Sequence, residues 1–200
     1  RIKIYPWYEN WKNLISFMQR NGSGDDWLRW DGIKGMMDGS LGSRTAWMHE
    51  PYLPYKEISP TVGIITLDDT IKFKYFLRET DKKNIQHAVH AIGDKANDWI
   101  LNEYIKIKND HGNIDRRSRV EHSQHLSASA IQKFSKNGII PSMQPYHLYD
   151  DGSWAHKRIK YDLLSRTYVF KSLIESGANL TFGSDWTVAP LDPLKGMYAA

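Results

Sequence analysis

Three short stretches each end a run of β-forming residues on a side chain that can hold a metal or move a proton. They are Val89-His90-Ala91-Ile92-Gly93-Asp94, Val120-Glu121-His122-Ser123-Gln124 and Phe182-Gly183-Ser184-Asp185-Trp186. One histidine after a strand carries little information. Two imidazoles and a carboxylate at the ends of three alternating β/α units carry more, because the C-terminal strand ends of a (β/α)8 barrel converge on one mouth. That ligand set suits a Zn²⁺-like ion. A bound metal lowers the pKa of its water to about 7, so hydroxide is available at neutral pH. A carboxylate within hydrogen-bond reach can take that proton and deliver it to a leaving group. The pattern points to a metal-dependent hydrolase built on a barrel, or on most of one. The competing readings are a satisfied core histidine for His122 and a turn cap for Asp185. A Ser184 nucleophile lacks the Gly-x-Ser-x-Gly elbow.

The elements that must carry these residues alternate along the chain. Strands are expected at Ile2 to Trp7, Ile33 to Met37, Asn84 to His90, Ser118 to His122, Ile139 to Gln144 and Asn179 to Gly183. Trp27 to Trp30 is too short, and Asp31-Gly32 reads as a turn that ends it. Helices are expected on Trp11, Leu14, Ile15 and Met18, and from Asp68 to Arg78 with Ile71, Tyr75 and Phe76 on one side. A third begins at Asp94, a candidate cap, and buries Trp99, Ile100, Tyr104 and Ile107. A fourth runs from Ser127 to Lys136, with Ser129 and Gln132 at capping-box spacing and Gly138 beyond its end. A fifth runs from Ser165 to Glu175 and stops at Gly177. Asp192-Pro193 starts a last one. Ser40 to Leu67 reads as a long irregular stretch, which is often functional, and Asp150 to Arg158 as a polar and aromatic loop. Side chains alternate along a strand, so His87 and His90 should point to opposite faces, as should Glu121 and His122. His125 falls in a loop, on the surface or just behind the site.

Repeated βα units imply a parallel sheet with helical crossovers. An open doubly wound sheet fits that order too, but the chain has no Gly-x-Gly-x-x-Gly and no Gly-Lys-Ser/Thr motif for a nucleotide. The 40% hydrophobic content is that of a folded chain. A net charge of +4, spread over isolated basic pairs, gives no reason to expect a nucleic acid partner. No apolar run approaches the roughly 20 residues that span a bilayer, so no membrane partner is expected. There is no cysteine, which excludes thiolate ligands.

Several motifs, in order, resemble amidohydrolase family 3, the metal-dependent hydrolases that include N-substituted formamide deformylases and proteins labelled exoenzyme regulatory. They are Ile33-Lys34 with Asp38-Gly39-Ser40-Leu41-Gly42-Ser43-Arg44-Thr45-Ala46, then His90 to Ala96, Arg119-Val120-Glu121-His122, Met143-Gln144-Pro145, and Gly183-Ser184-Asp185-Trp186 with Ala189 to Leu194. The resemblance implies an α/β fold, a partial (β/α)8 TIM barrel holding about strands 3 to 8. Residues 1–200 would form a single segment of that barrel. Strands 1 and 2, with the family's His-x-His pair, and the flanking β-sandwich would be lacking. Arg1 also opens inside an expected strand, so a segment of a longer protein is expected.

By the same resemblance the metal ligands are Lys34, His90, His122 and Asp185, and Asp185 is the catalytic proton shuttle. A lysine amine is cationic near neutrality, so Lys34 would bridge two ions only as a carbamate. Its alternative is an ion pair, with Asp38 for instance. Arg44, Trp186 and His147 are the candidate substrate contacts. The expected cofactor is a divalent metal, Zn²⁺ first, as one or two ions in the intact protein and none in this segment. The expected activity of the intact protein is hydrolysis of a C–N bond in a small-molecule amide, formamide or related N-acyl compound. A non-catalytic binding or regulatory protein on the same scaffold is the alternative. Exposed sheet edges lead us to expect self-association.

Overall fold

The protein is described from a computed structural model over residues 1–56 and 59–200. Glu57 and Ile58, inside the irregular stretch expected from Ser40 to Leu67, lie outside the described residues. Ile2–Lys3 (β1) pairs in parallel with Leu28–Arg29 (β2), with Trp11–Asn21 (α1) between them. Two expectations are corrected here: the first strand is shorter than Ile2 to Trp7, and Trp27 to Trp30 does contribute a strand. Pro6 has no N–H to give a ladder. Its carbonyl accepts from Lys34 N at 2.8 Å, Trp7 bridges to Lys34, and Tyr5 donates its hydroxyl to Gln86 Oε1 at 2.6 Å, so this segment still reaches the central sheet.

That sheet has five parallel strands side by side in chain order: Gly32–Met36 (β3), Gln86–Ala91 (β4), Arg119–His122 (β5), Ile140–Met143 (β6) and Thr181–Phe182 (β7). The crossovers are Thr70–Asp81 (α2), Asp94–His111 (α3) and Ala128–Asn137 (α4). Between β6 and β7 lie Pro145–Gly152 (α5), Tyr161–Leu164 (α6) and Phe170–Glu175 (α7), and Pro193–Ala199 (α8) follows. Consecutive parallel strands joined by helices make an α/β arc, a partial TIM barrel. Among the described residues no helix is long and apolar enough to cross a membrane.

The main core lies between the sheet and α2, α3, α4 and α7. Ile33, Val89, Ala91 and Val120 meet Phe73, Ile100, Leu101 and Phe134 there, all buried. The face expected for α2 is corrected: Phe73, Phe76 and Leu77 are buried, while Ile71 and Tyr75 are exposed. Two caps are corrected as well. Asp94 does not cap α3 but accepts from His49 N at 2.9 Å, and Ser127, not Ser129, caps α4 through Ala130 N. The helix expected from Ser165 to Glu175 breaks because its middle pairs with the β5 exit: Leu126 N donates to Arg166 O and Tyr168 N to Gln124 O. Part of the loop expected at Asp150 to Arg158 is helical, since α5 starts at Pro145 and runs to Gly152. The irregular stretch carries a second, smaller core of Leu41, Ala46, Met48 and Tyr52 against Ile92, Ala155, Ile159 and Leu163. It covers the strand exits that hold the candidate site.

Candidate metal centre

Strand alternation places the first ligand candidate. His87 turns to the helix layer, where its ring stacks on Tyr104 and its Nε2 lies 2.7 Å from Thr80 Oγ1. His90, three residues on, faces the opposite side and lines a cavity of about 500 Å³ at the strand ends. Glu121 is the register partner of His90 and shares its face. Alternation alone would then send His122 out to the helices beside Val120. It does not go there. His122 (φ 73°) and Ser123 (φ 45°) are both left-handed and swing the imidazole back to the cavity, 4.4 Å from the His90 ring. Such backbone costs roughly 1–3 kcal/mol per residue and persists only where the surroundings enforce it. The expectation that Glu121 faces away is corrected. It lies on the cavity side and holds Arg119 and Ser142 at 2.7 Å each.

His147 arrives by a different route. Pro145 occupies the first turn of α5 directly after β6, so the helix starts at once and His147 sits over the strand ends. Its ring stacks on His122 at 5.8 Å and 14°. Asp185, also left-handed at φ 55°, follows β7 and places Oδ2 3.9 Å from His147 Nε2. The ligand atoms of His122, His147 and Asp185 all lie within 4.8 Å of one another. His122 Nδ1 and His147 Nε2 are buried and have no hydrogen-bond partner among the described residues. An unmet buried polar atom costs about 1–3 kcal/mol, and a bound cation would meet both. Burial, then the charges of His90, Lys34 and His147, hold the His122 imidazolium form well below its usual range. The neutral ring that results is the form a metal requires. Burial also lowers the pKa of the Lys34 amine, against Glu121 and Asp185, which act to raise it.

Lys34, His90, His122 and Asp185 thus line one cavity, and so does His147. His147, expected to touch substrate, stands in the close trio. His90 stands outside it, with Nε2 3.1 Å from Gly39 O. The sign of His147 in the sequence was the Pro145 helix start, two residues before it. Arg44 does not line the cavity: it donates to Leu53 O at 2.6 Å and packs over Tyr52 and Tyr55. Trp186 is 66% exposed and lies off the lining as well. Lys34 does not pair with Asp38, which is fully buried and accepts three backbone N–H groups instead. His125 is not on the surface; it is fully buried between Gln124 and Thr167.

Residues 5–200 match the model of the amidohydrolase family. The chain is 38% identical over 192 residues to Protein LONG AFTER FAR-RED 3 of Arabidopsis thaliana, covering 95% of this chain and 32% of that protein. It is 30% identical over 174 residues to the putative amidohydrolase YtcJ of Bacillus subtilis (strain 168), covering 87% of this chain and 32% of that one. It therefore spans about a third of the length of these relatives. Among solved structures, an uncharacterized metal-dependent hydrolase from Pyrococcus furiosus superposes with a TM-score of 0.80 at 25% identity, over 98% of this chain and 39% of that one. Another from Pyrococcus horikoshii OT3 gives 0.80 at 26%, over 98% and 38%.

Proposed function

The chain belongs to the amidohydrolase family, and we propose that the protein hydrolyses a C–N bond in an amide, formamide or related N-acyl compound with the help of a divalent ion, Zn²⁺ first. The observation that carries this reading is the pair of unpartnered nitrogens, His122 Nδ1 and His147 Nε2, beside Asp185 in one cavity. Two imidazoles and a carboxylate fit such an ion by donor type. His122, His147 and Asp185 would hold it, with His90 at their side. Lys34, after its amine adds CO2 and loses a proton, would hold a second. A divalent ion supplies a Lewis acid that polarises a carbonyl and makes water more acidic.

The protein's own side chains do the rest. The Asp185 carboxylate, 39% exposed, takes a proton from the attacking water and returns it to the leaving nitrogen. Trp7, Leu41, Ile92, Trp154 and Val188 give the cavity apolar walls, and its volume suits a small N-acyl compound. The two buried imidazole nitrogens without partners among the described residues support a bound cation, and turnover separates catalysis from a binding role on the same scaffold. The test is made on the purified protein at full natural length: metal content by elemental analysis, then turnover of N-acyl amines, N-formyl amines and phosphoesters. We expect bound divalent metal and chelator-sensitive turnover of an N-acyl or N-formyl compound. Turnover of phosphoesters alone, or none with metal present, would overturn the reading.

Self-association is part of the same proposal. Phe182 on the edge strand β7 is half exposed, and Trp186, Leu194, Met197 and Tyr198 leave apolar surface beside it. Light scattering on the 200-residue chain at micromolar concentration should give a mass above 23.2 kDa. A strict monomer would remove the idea.

A further inference from the structure

Asp38 follows β3 and is fully buried. Its Oδ2 accepts from Trp47 N and Gly93 N, both at 2.8 Å, and its Oδ1 accepts from Ile92 N at 3.0 Å. One side chain therefore ties the long irregular stretch to the turn between β4 and α3. The two backbones approach so closely there that a Cβ on Gly93 would lie 2.0 Å from Trp47 O, and Ala96 N donates to that same carbonyl. His90 also lies beside the Asp38 carboxylate, with its Nε2 3.4 Å from Oδ1 and 3.1 Å from Gly39 O.

Both groups facing His90 Nε2 are oxygens. A carbonyl oxygen accepts and never donates, so the ring nitrogen pointing at it carries the hydrogen. In a neutral imidazole the other nitrogen, Nδ1, is then left with its lone pair. We propose that Asp38 and the Gly39 carbonyl form a clamp that holds His90 as the Nε2–H tautomer and presents Nδ1 to the cavity as the ligand atom. Asp38 is a positioning residue: it touches neither substrate nor the reacting atoms. It also fixes where the ring stands, because the same carboxylate anchors the turn that follows His90. Partners of this kind commonly set the affinity of a metal site.

This inference rests on the reading of the cavity as a metal site, and its test separates the two. The tautomer of His90 is read by ¹⁵N-histidine NMR in metal-free full-length protein, where no ion can impose it. Protonated Nε2 with bare Nδ1 is expected; protonated Nδ1 would overturn the clamp even if metal still binds. Asp38→Asn should mix the tautomers and weaken zinc binding, measured with zinc alone, by about 10–100-fold. A folded variant with unchanged tautomer and affinity would also overturn it. Should Asp38→Asn not fold, the wild-type tautomer decides. Absence of zinc binding with the Nε2–H tautomer in place counts against the metal reading and leaves the clamp intact.

Discussion

Replacing Asp185 with asparagine lowers kcat of the full-length protein on its N-acyl substrate by about 10²–10⁴-fold, the usual weight of one general acid–base group. The substitution keeps the size of the side chain and its place after β7 but removes the proton acceptor. Asp185 suits the role by position: it lines the cavity and reaches His147 only at 3.9 Å, which leaves the carboxylate free to meet water. Metal binding should weaken as well, because Asp185 is one of the three side chains that would hold the ion, but less than on loss of a histidine, since His122 and His147 remain. His122→Ala provides the contrast. It removes a buried ligand candidate, so bound metal and turnover should fall together. If Asp185→Asn keeps kcat within threefold, the proton-shuttle role is gone. If His122→Ala retains full metal, the trio is not the binding site.

Acid should unfold the protein early, and two histidines away from the cavity account for it. His87 is fully buried, and burial lowers its pKa to about 4. Thr80 Oγ1 gives its one proton to Phe76 O, so it accepts from His87 Nε2, which a neutral ring can supply. His125 is lowered to about 3, by burial first and the Arg166 charge second. Its Nδ1 donates to Thr167, whose own proton goes to Leu163 O, and its Nε2 faces the Gln124 amide nitrogen. A second ring proton would point at that N–H. Both rings therefore fold neutral. The unfolded chain takes up these protons near pH 6.5 and the folded chain does not, so stability rises with pH. The contribution is complete above about pH 6.5 and is lost as pH falls toward the folded values near 4 and 3. Between pH 7 and 5 the two together should remove about 4 kcal/mol, a large share of the roughly 5–15 kcal/mol that holds most domains. Urea midpoints at the two pH values measure it. His87→Gln should remove about half of that two-histidine contribution; equal slopes in the two proteins would rule out this assignment.

Much of the architecture was legible along the chain. Period-two and helical spacing located β3, β4, β5 and β6 to within a few residues, because burial on one face imposes those spacings directly. Asp192-Pro193 marked the start of α8 correctly, with Asp192 accepting from Leu194 N, because a cap is a local device. Two of the misreadings share one cause. The Ser165 to Glu175 helix broke because its middle found backbone partners at the β5 exit, and Asp94 left its cap for His49 N. Both are tertiary competitors for groups that local pattern assigns to the nearest helix.

The same division runs through the candidate site. By itself the sequence determined which residue types stand at the strand ends: His90, His122 and Asp185, with Lys34 one strand away. Tertiary structure decided how they meet. Left-handed backbone at His122 reversed the face that alternation assigns, and α5 brought His147 into the trio. Asp38, an apparent partner for Lys34, was drawn instead to three backbone N–H groups and the edge of His90. Residue spacing carries the direction of a side chain only while the backbone stays regular. Ligand candidates sit where strands stop being regular, so the final turn of each depends on contacts made by residues far away in the chain.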